Sequence, residues 1–591
     1  MMKVINTGCT AAKAPATMNR RQKSRNNMMF KALLSLCLLF ACALAIAQTL
    51  PAGPQVLTFH SDVDDTEQPY GLYIPKNYNP QKKYPLVVML HGAGSNHRLS
   101  LRRVFGKSNG PGETDVEVSR VFPEFKDVDY IVVSPFARGT MGYQGVAEKD
   151  VMDVLDDVST RFNIDEDRRY LTGLSMGGGG TLWIGLTRPD LWAAIAPVCP
   201  APPDGTEDLA PNALNIPAWF HHGDKDQAVP VTVSRDWTTK LRALETNVEY
   251  TEYPGVNHNS WENAYANAQM FDWFSKFKRD MYPARVRYVA KQYKYNKAYW
   301  VTFDSMIPGV LAEIDARFTA PNTIEVKTAH LPAFSLNISK HPQYKAGEPL
   351  TVTIDGKKIK TTPSDVISFK LDRPAKGKNK DMVWVNSKFA QSATSKNSES
   401  EGPVAAAMSD RHVYVYGTAG NPSEEELRKR RSVAEQAANW STYRGEFLGR
   451  IMVFPRVLSD KEVRPSDFEA ANLVLFGNKE TNTIIQKYSA NAPFELNTSA
   501  EGTHGLIYIM PGENGRYVVV NSGLPWWTTS KTPAFAFAPP PLQKLNELKD
   551  FLLFQGGNDN KIAEGYFDND WNTPEPEKKS LSASGVVTVK R

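Results

Sequence analysis

The stretch of residues 169–181 constrains the fold of this 591-residue chain more than any other. It reads as a short strand, a sharp turn at Ser175 and the start of a glycine-rich helix. Such a turn strains the serine backbone, and a side chain on Gly173 or Gly177 would collide with the neighbouring strand and helix. The G-x-S-x-G pattern therefore predicts a raised serine hydroxyl, with the Met176 N–H at the positive helix end facing an attacked carbonyl.

A second glycine-rich loop lies upstream of the first. Residues 84–90 are a continuous apolar run, as in buried parallel strands, and the run ends in His91-Gly92-Ala93-Gly94. A loop of this composition lets backbone N–H groups face a pocket, and we predict the Ala93 N–H as the second donor of an oxyanion hole. A plain strand-to-helix turn is the alternative for this loop taken alone.

Strand and helix patterns alternate on both sides of these motifs. This alternation predicts a doubly wound α/β sheet with helices on both faces. Further strands are predicted at residues 129–135, 192–197, 216–223 and 248–253, and helices at 147–162, 231–244 and 264–281.

A serine hydroxyl needs a base to take its proton and an acid to orient that base. Ser175, Asp226 and His258 follow one another in the order serine, acid, histidine, each at the end of a predicted strand. Asp224 is a rival acid; we prefer Asp226 and expect Asp224 to cap the turn. The alternative bases, which precede the acid and read as structural, are His91, His221 and His222.

Residues 66–280 resemble the prolyl-oligopeptidase-like branch of the α/β-hydrolases, which includes secreted esterases of the feruloyl, acetyl-xylan and polyhydroxybutyrate-depolymerase types. The motifs that carry the resemblance are His91-Gly92-Ala93-Gly94, Gly173-Leu174-Ser175-Met176-Gly177-Gly178, Asp226-x-x-Val229-Pro230 and His258-Asn259-Ser260-Trp261. The resemblance implies hydrolysis of carboxylic esters, soluble or polymer-linked, through an acyl-enzyme and without a metal or organic cofactor.

Two other functions stay open. One is a serine peptidase that uses the same residues, although the chain has no room for a gating propeller between residue 48 and the hydrolase pattern. The other is a binding protein built on an inactive hydrolase, which would have lost a member of the triad. Trp261, Tyr143 and Trp183 are candidates for the walls of a substrate cleft, and core positions suit them equally.

Residues 1–47 have the pattern of a secretory signal peptide: a basic region, an apolar core at residues 32–45 and a small-x-small site at Ala45-Ile46-Ala47. We therefore expect a secreted or periplasmic protein. An uncleaved anchor or a lipoprotein at Cys42 are the alternatives, and Met1, Met28 or Met29 is the true start. Three of the four cysteines lie in this segment, so Cys199 is expected as a buried thiol without a disulfide partner.

The charge balance argues against a nucleic-acid partner. The chain has a formal net charge of +5, but residues 1–47 hold seven of its 69 Lys and Arg residues and none of its 64 Asp and Glu residues. The rest of the chain therefore has a net charge of −2, and the electrostatic basis for binding nucleic acid is missing.

The second half changes character after the hydrolase pattern, which we place at residues 48–285. Short strands with turn signals predict a β-sandwich-like domain at residues 286–390. An exposed linker at residues 391–402, a small α/β domain at 403–556 and a tail at 557–591 follow. Gly417-x-x-Gly420 precedes a helix but lacks a full dinucleotide fingerprint or a phosphate-binding lysine, so we do not predict a nucleotide site.

Overall fold

The computed structural model describes residues 50–373, 382–392, 394–440, 442–443, 450–529 and 539–590. The chain from Gly53 onward forms one compact unit. The predicted signal peptide and its alternative starts lie outside the described residues. Within the described ranges, no helix has both the length and the apolar character that a membrane span requires.

An eight-stranded sheet forms the first part of this unit, in the strand order β1-β2-β4-β3-β5-β6-β7-β8. β1 and β2 are antiparallel to their neighbours, and β3 to β8 are parallel. The strands are β1 (Gly53–Ser61), β2 (Thr66–Ile74), β3 (Tyr84–Leu90), β4 (Ile131–Pro135), β5 (Ile164–Leu174), β6 (Ala194–Val198), β7 (Ala218–Gly223) and β8 (Val248–Tyr253).

Helices connect these strands, as the alternating pattern predicts, so the α/β-hydrolase sheet is confirmed. The connecting α-helices are α1 (His97–Val104), α2 (Asp115–Val118), α3 (Val146–Arg161), α4 (Met176–Thr187), α5 (Thr232–Ala243), α6 (Trp261–Ala264) and α7 (Gln269–Phe274). Every residue of β3, β4 and β6 is buried, because helices cover both faces of the parallel strands.

The closing helix predicted at residues 264–281 is wrong. The chain instead forms α6, a 3-10 turn at Ala266–Ala268 and α7, because Asn267 and Ala268 have left-handed backbone angles, with φ of 55° and 59°. The Gln269 side chain donates to the carbonyls of Asn263 and Ala264, which the break leaves without helical partners. The break turns the aromatic side chains of α7 into the core.

Two five-stranded sheets follow, in the orders β10-β11-β14-β17-β18 and β16-β15-β13-β12-β9. Their inward side chains share one apolar core, as the sandwich-like prediction requires. The strands are β9 (Arg285–Ala290), β10 (Lys297–Ala298), β11 (Val301–Ser305), β12 (Ala312–Ala320), β13 (Thr323–Ala329), β14 (Ala333–Asn337), β15 (Thr351–Ile354), β16 (Lys357–Ile359), β17 (Val366–Asp372) and β18 (Val383–Asn386).

The C-terminal part is a seven-stranded mixed sheet in the order β22-β19-β23-β26-β25-β27-β28, with two small ribbons, β20 with β21 and β24 with β29. Its strands are β19 (His412–Tyr416), β20 (Thr442–Tyr443), β21 (Arg450–Ile451), β22 (Arg456–Ser459), β23 (Asn472–Phe476), β24 (Phe494–Leu496), β25 (His504–Pro511), β26 (Tyr517–Gly523), β27 (Phe551–Gln555), β28 (Lys561–Gly565) and β29 (Val587–Val589). Its helices are α8 (Val404–Ala407), α9 (Glu424–Ala438), α10 (Pro465–Ala470), α11 (Thr483–Tyr488), α12 (Pro540–Leu545) and α13 (Glu575–Ala583).

The predicted tail at residues 557–591 is also wrong. β28 extends the C-terminal sheet, α13 buries Leu581, and β29 pairs with β24 in the middle of the sequence of this part. These elements are short, and β29 gains its stability from β24, a strand far back in the sequence, so the local pattern does not reveal them. The domain boundaries themselves stay predictions.

The linker predicted as exposed at residues 391–402 is only partly exposed, because Ser395, Lys396, Ser400 and Gly402 are buried. The Lys396 ammonium forms a buried ion pair with the Asp550 carboxylate and lies 4.8 Å from the centre of the Trp571 ring. The Lys396 N–H donates to the Asn569 carbonyl at 2.8 Å. The composition of this segment, rich in serine, asparagine and lysine, indicates exposure. The distant Asp550 is the counter-ion that makes the burial of Lys396 tolerable.

Replacing Lys396 with Met leaves the Asp550 carboxylate buried without its counter-ion. We expect this change to lower the free energy of unfolding by about 3–5 kcal/mol. Chemical denaturation of the full chain measures it, with Lys357→Met on the exposed strand β16 as the control. Equal stability of the two variants would contradict a structural role for the buried pair.

Candidate active site

Ser175 stands between β5 and α4, with φ of 55° and ψ of −117°. The backbone around it is tight. A Cβ on Gly173 would lie 2.3 Å from the Gly177 carbonyl oxygen, and a Cβ on Gly177 would lie 2.2 Å from the Leu90 carbonyl oxygen. Both distances are far inside van der Waals contact, so the strained turn requires glycine at both flanking positions.

The structure brings the three predicted triad residues together. His258 Nε2 lies 3.0 Å from Ser175 Oγ, and His258 Nδ1 lies 2.7 Å from Asp226 Oδ2. The His258 side chain is 26% exposed and the Asp226 side chain is fully buried. This arrangement fits a hydroxyl that gives its proton to Nε2 and an Nδ1–H that is held by a carboxylate.

The buried Asp226 carboxylate is surrounded by donors. Its Oδ1 accepts the backbone N–H groups of Ala228 and Val229, both at 2.9 Å. Its Oδ2 faces His258 and also His222 Nε2, at 3.1 Å. Four donors thus offset the cost of burying the negative charge.

Asp224 lies in a different place. Its Oδ1 accepts the Gly255 N–H and its own N–H donates to the Tyr253 carbonyl. These bonds join the turns after β7 and β8, which is the capping role that the sequence predicts for Asp224. The structure gives Asp224 no contact with His258 among the described hydrogen bonds.

His222 is the residue whose importance the sequence reasoning missed. Its Nε2 faces two acceptors, Asp226 Oδ2 and the Val229 carbonyl at 3.0 Å, so it must carry the proton. Its Nδ1 then accepts from the Ser234 hydroxyl at 2.8 Å. Burial lowers the pKa of His222, which favours this neutral form. Its position at the end of β7, four residues before Asp226, was the available signal.

The other two histidines are structural, as their positions indicate. His91 is buried, with its ring nitrogens 2.8 Å from the carbonyls of Gly92 and Phe136. His221 is buried beside Trp219, and its Nδ1 lies 2.9 Å from the Tyr253 hydroxyl. Burial lowers the pKa of both rings, that of His221 to about 3.

The two predicted oxyanion donors lie on the elements that flank Ser175. Met176 is the first residue of α4, where an N–H has no intrahelical acceptor. Ala93 is exposed in the loop after β3. That loop passes close to the serine, since a Cβ on Gly92 would lie 3.5 Å from the Ser175 Cβ. Both predicted donors therefore belong to backbone that lies next to the serine.

An open cleft lies beside His258. The Trp261 ring packs edge-on against the His258 ring at 5.5 Å, and the Arg103 guanidinium lies 4.9 Å from the centre of the indole. Three of the lining side chains are carboxamides. The cleft is lined by Gln227, Ala228, Asn257, His258, Asn259 and Trp261.

Tyr143 and Trp183 do not line this cleft, so a role in its walls is wrong for them and the alternative of core packing applies. Tyr143 is 2% exposed, and its hydroxyl donates to the His91 carbonyl at 3.0 Å. Trp183 lies on α4 and donates its Nε1–H to the Glu148 carboxylate. Aromatic residues near a motif in sequence can face either side of an element, and both of these face packing contacts.

Cys199 is fully buried next to the triad. Its Sγ, an Asp226 carboxylate oxygen and a His258 nitrogen lie within 4.8 Å of one another, so this group could hold a metal ion. However, burial raises the pKa of the Cys199 thiol to about 12, and its S–H donates to the His258 carbonyl. A metal would have to displace this proton and the His258–Asp226 bond, so the set fits a proton-transfer site better.

Residues 65–258 match the Esterase family model. This segment, which holds strands β2 to β8 of the α/β-hydrolase sheet, is therefore similar to esterases. The match covers the elbow, Asp226 and His258. The residues after 258, including both later sheet regions, lie outside the matched segment.

Solved structures of hydrolases are similar to the same part of the chain. A thermostable esterase is 29% identical over 38% of this chain, with a TM-score of 0.32, and the chain spans 63% of its length. The ferulic acid esterase of Anaeromyces mucronatus is 19% identical over 39% of this chain and 92% of its own, with a TM-score of 0.30. A fluorophosphonate-binding serine hydrolase of Staphylococcus aureus is 18% identical over 38% and 99%, with a TM-score of 0.30.

The two neighbouring carboxylates give a direct test of the acid. Asp226→Asn removes the charge that holds the His258 Nδ1–H, and we expect the turnover of a small ester to fall about a thousandfold or more. Asp224→Asn changes only a turn contact and should cost far less. Steady-state kinetics of both full-length variants measures the difference, and the reverse ranking would identify Asp224 as the acid.

We predict that the buried His221 makes the folded protein less stable in acid. Its pKa is 6.5 as a free side chain and about 3 in the folded protein, so below pH 6.5 the unfolded chain binds a proton that the folded chain does not. This contribution lowers the free energy of unfolding by about 1.4 kcal/mol per pH unit as the pH falls from about 6.5 toward 3. The free energy of unfolding, measured with urea, should fall less between pH 7 and pH 5 in His221→Gln than in the wild type. Exposed His60→Gln is the control, and equal losses in all proteins would refute the assignment.

Proposed function

We propose that this chain is a secreted serine carboxylesterase in which Ser175, His258 and Asp226 form the catalytic triad. The observation that carries the proposal is the unbroken hydrogen-bonded series from Ser175 Oγ through the His258 ring to the Asp226 carboxylate. The Esterase match of the same segment supports an ester as the substrate.

In the first half of the reaction, Ser175 Oγ attacks the ester carbonyl while His258 Nε2 takes the hydroxyl proton. The Met176 and Ala93 N–H groups donate to the oxyanion of the tetrahedral intermediate. His258 then gives its proton to the leaving alcohol, and the acyl group stays on Ser175. Water then attacks the acyl-enzyme while His258 Nε2 takes a proton from it. His258 returns this proton to Ser175 Oγ as the carboxylic acid leaves. Asp226 holds the His258 ring and stabilises its positive charge in each step.

The substrate that we propose is an ester of a hydroxyl-rich alcohol, soluble or linked to a polymer. Support comes from the cleft beside His258, where the carboxamides of Gln227, Asn257 and Asn259 and the indole of Trp261 stand together. Amide groups donate to and accept from hydroxyl groups, and an indole face suits the apolar face of a sugar ring. An open cleft also leaves room for an extended chain.

The nucleophile is tested by Ser175→Ala, which removes the attacking oxygen. We expect the turnover of p-nitrophenyl acetate to fall by several powers of ten with an unchanged melting temperature, because triad members act as a unit. Full-length wild-type protein should also cleave this ester far faster than a peptidyl p-nitroanilide. Preference for the anilide would identify a peptidase, and activity that survives Ser175→Ala would refute the triad.

A further inference from the structure

The loop between β4 and α3, residues 136–145, is the structural support of the oxyanion loop. The Gly94 N–H donates to Thr140 Oγ1 at 2.9 Å. Two more residues of the loop contact His91. The Phe136 carbonyl lies 2.8 Å from His91 Nε2, and the Tyr143 hydroxyl donates to the His91 carbonyl. Gly94 follows directly on Ala93, so the Thr140 hydroxyl fixes the peptide unit next to the proposed oxyanion donor.

This supporting loop is strained and cannot hold its shape by local bonding alone. Ala137 and Arg138 have positive φ angles, of 44° and 63°, and the glycines at 139, 142 and 145 have positive φ as well. Left-handed backbone on residues with a Cβ costs free energy, and it persists only where surrounding structure determines it. The contacts of Arg138 show which structure does so.

Arg138 joins three separate parts of the chain. Its guanidinium donates to the carboxylates of Asp64 and Asp150, both at 2.7 Å, and all three side chains are fully buried. It also donates to the Met452 carbonyl at 3.3 Å, while the Met452 N–H donates to the Arg138 carbonyl at 3.1 Å. The latter two bonds come from the C-terminal part, beyond the segment that matches the Esterase family.

The C-terminal segment Ile451 to Phe454 is bound along this loop. Gly139 and Ile451 form an antiparallel bridge, and the Phe454 N–H donates to Asp64 Oδ2 at 2.9 Å. Val146, at the end of the loop, shares an apolar core with Ile451 and Val453. One strand-like segment of the C-terminal part thus meets the loop by backbone, charge and apolar contacts.

We propose that Thr140 is a positioning residue of the oxyanion hole, and that the C-terminal segment Ile451 to Phe454 holds Thr140 in place through Arg138. The proposal rests on the proposed function. On this proposal, the C-terminal part helps to hold the catalytic site in its active geometry. Thr140 itself does not touch the substrate; it acts through the Gly94 N–H on the neighbouring Ala93 peptide.

Thr140→Val replaces the hydroxyl by a methyl group of similar size and removes the acceptor of the Gly94 N–H. We expect kcat for p-nitrophenyl acetate to fall between about tenfold and a hundredfold, less than the loss of a whole oxyanion donor, with KM changed less than about twofold. Inhibition by phenylboronic acid, a tetrahedral mimic at the serine, should weaken by the same factor as kcat. Thr140→Ser retains an acceptor and should restore kcat to within about twofold of the wild type.

A double-mutant cycle tests the link to the C-terminal part. Arg138→Lys keeps a cation but cannot reach Asp64, Asp150 and the Met452 carbonyl together, so kcat should fall. If Arg138 acts through Thr140, adding Arg138→Lys to Thr140→Val should lower kcat no further. The matched control is Arg411→Gln, which breaks the Arg411–Asp65 ion pair between the same two parts without touching the loop. This control should leave kcat unchanged.

The outcomes separate the proposal from the proposed function. If Ser175→Ala abolishes activity but Thr140→Val has wild-type kcat, or only a lower melting temperature, the role of Thr140 is overturned. Independent, multiplying losses from Arg138→Lys and Thr140→Val would overturn the link to the C-terminal segment. Activity that survives Ser175→Ala would refute the proposed function itself.

Discussion

The close approach of α4 to the end of β3 is the constraint on which the site depends. Gly177 lies so near the Leu90 and His91 carbonyls that no side chain fits, and a Cβ on Gly92 would lie 2.7 Å from the Leu174 side chain. The parallel pairing of Leu90 with Gly173 sets this distance, because it aligns the carboxyl ends of β3 and β5. One register therefore places the oxyanion loop beside the serine. A slip of this pairing would separate the nucleophile from one of its two proposed donors.

The second constraint is the burial of charge at the other end of the triad. A carboxylate with no exposed surface is tolerable only when donors replace its water, and Asp226 has two backbone N–H groups and two imidazoles. The backbone donors come from the turn that Asp226 itself begins, so the acid preorganises its own surroundings. His222 adds a further donor, and the hydrogen bond between its Nδ1 and the Ser234 hydroxyl holds the ring in place. The acid can then hold the His258 ring without moving when charge develops on that ring, which is the condition for electrostatic stabilisation.

The sequence predicts those features that local geometry dictates. A glycine on either side of Ser175, an apolar strand before it and the order of Ser175, Asp226 and His258 leave few other folds, so the sheet and the elbow could be found without coordinates. The broken helix near Asn267, the buried Lys396 and the strand at the C-terminus could not. The buried Lys396 depends on Asp550, 154 residues later, and the strand at the C-terminus depends on β24, which lies far back in the sequence. The helix break depends on the left-handed backbone of Asn267 and Ala268, which directs side chains to the core. Tyr143 shows the same limit: an aromatic residue near the site in sequence belongs to the packing behind His91.

Buried ion clusters like that of Arg138 rarely increase stability over apolar packing, because both charges lose their hydration. Their advantage is geometric: a guanidinium bound by two carboxylates and a carbonyl accepts one arrangement of its partners and no other. At Arg138 those partners come from the turn between β1 and β2, from α3 and from the C-terminal part. Binding of the segment Ile451 to Phe454 at this cluster therefore fixes the conformation of the strained loop at residues 136–145. That loop in turn holds the peptide next to Ala93. A contact between residues more than 300 positions apart in sequence therefore affects the position of the atoms beside the nucleophile.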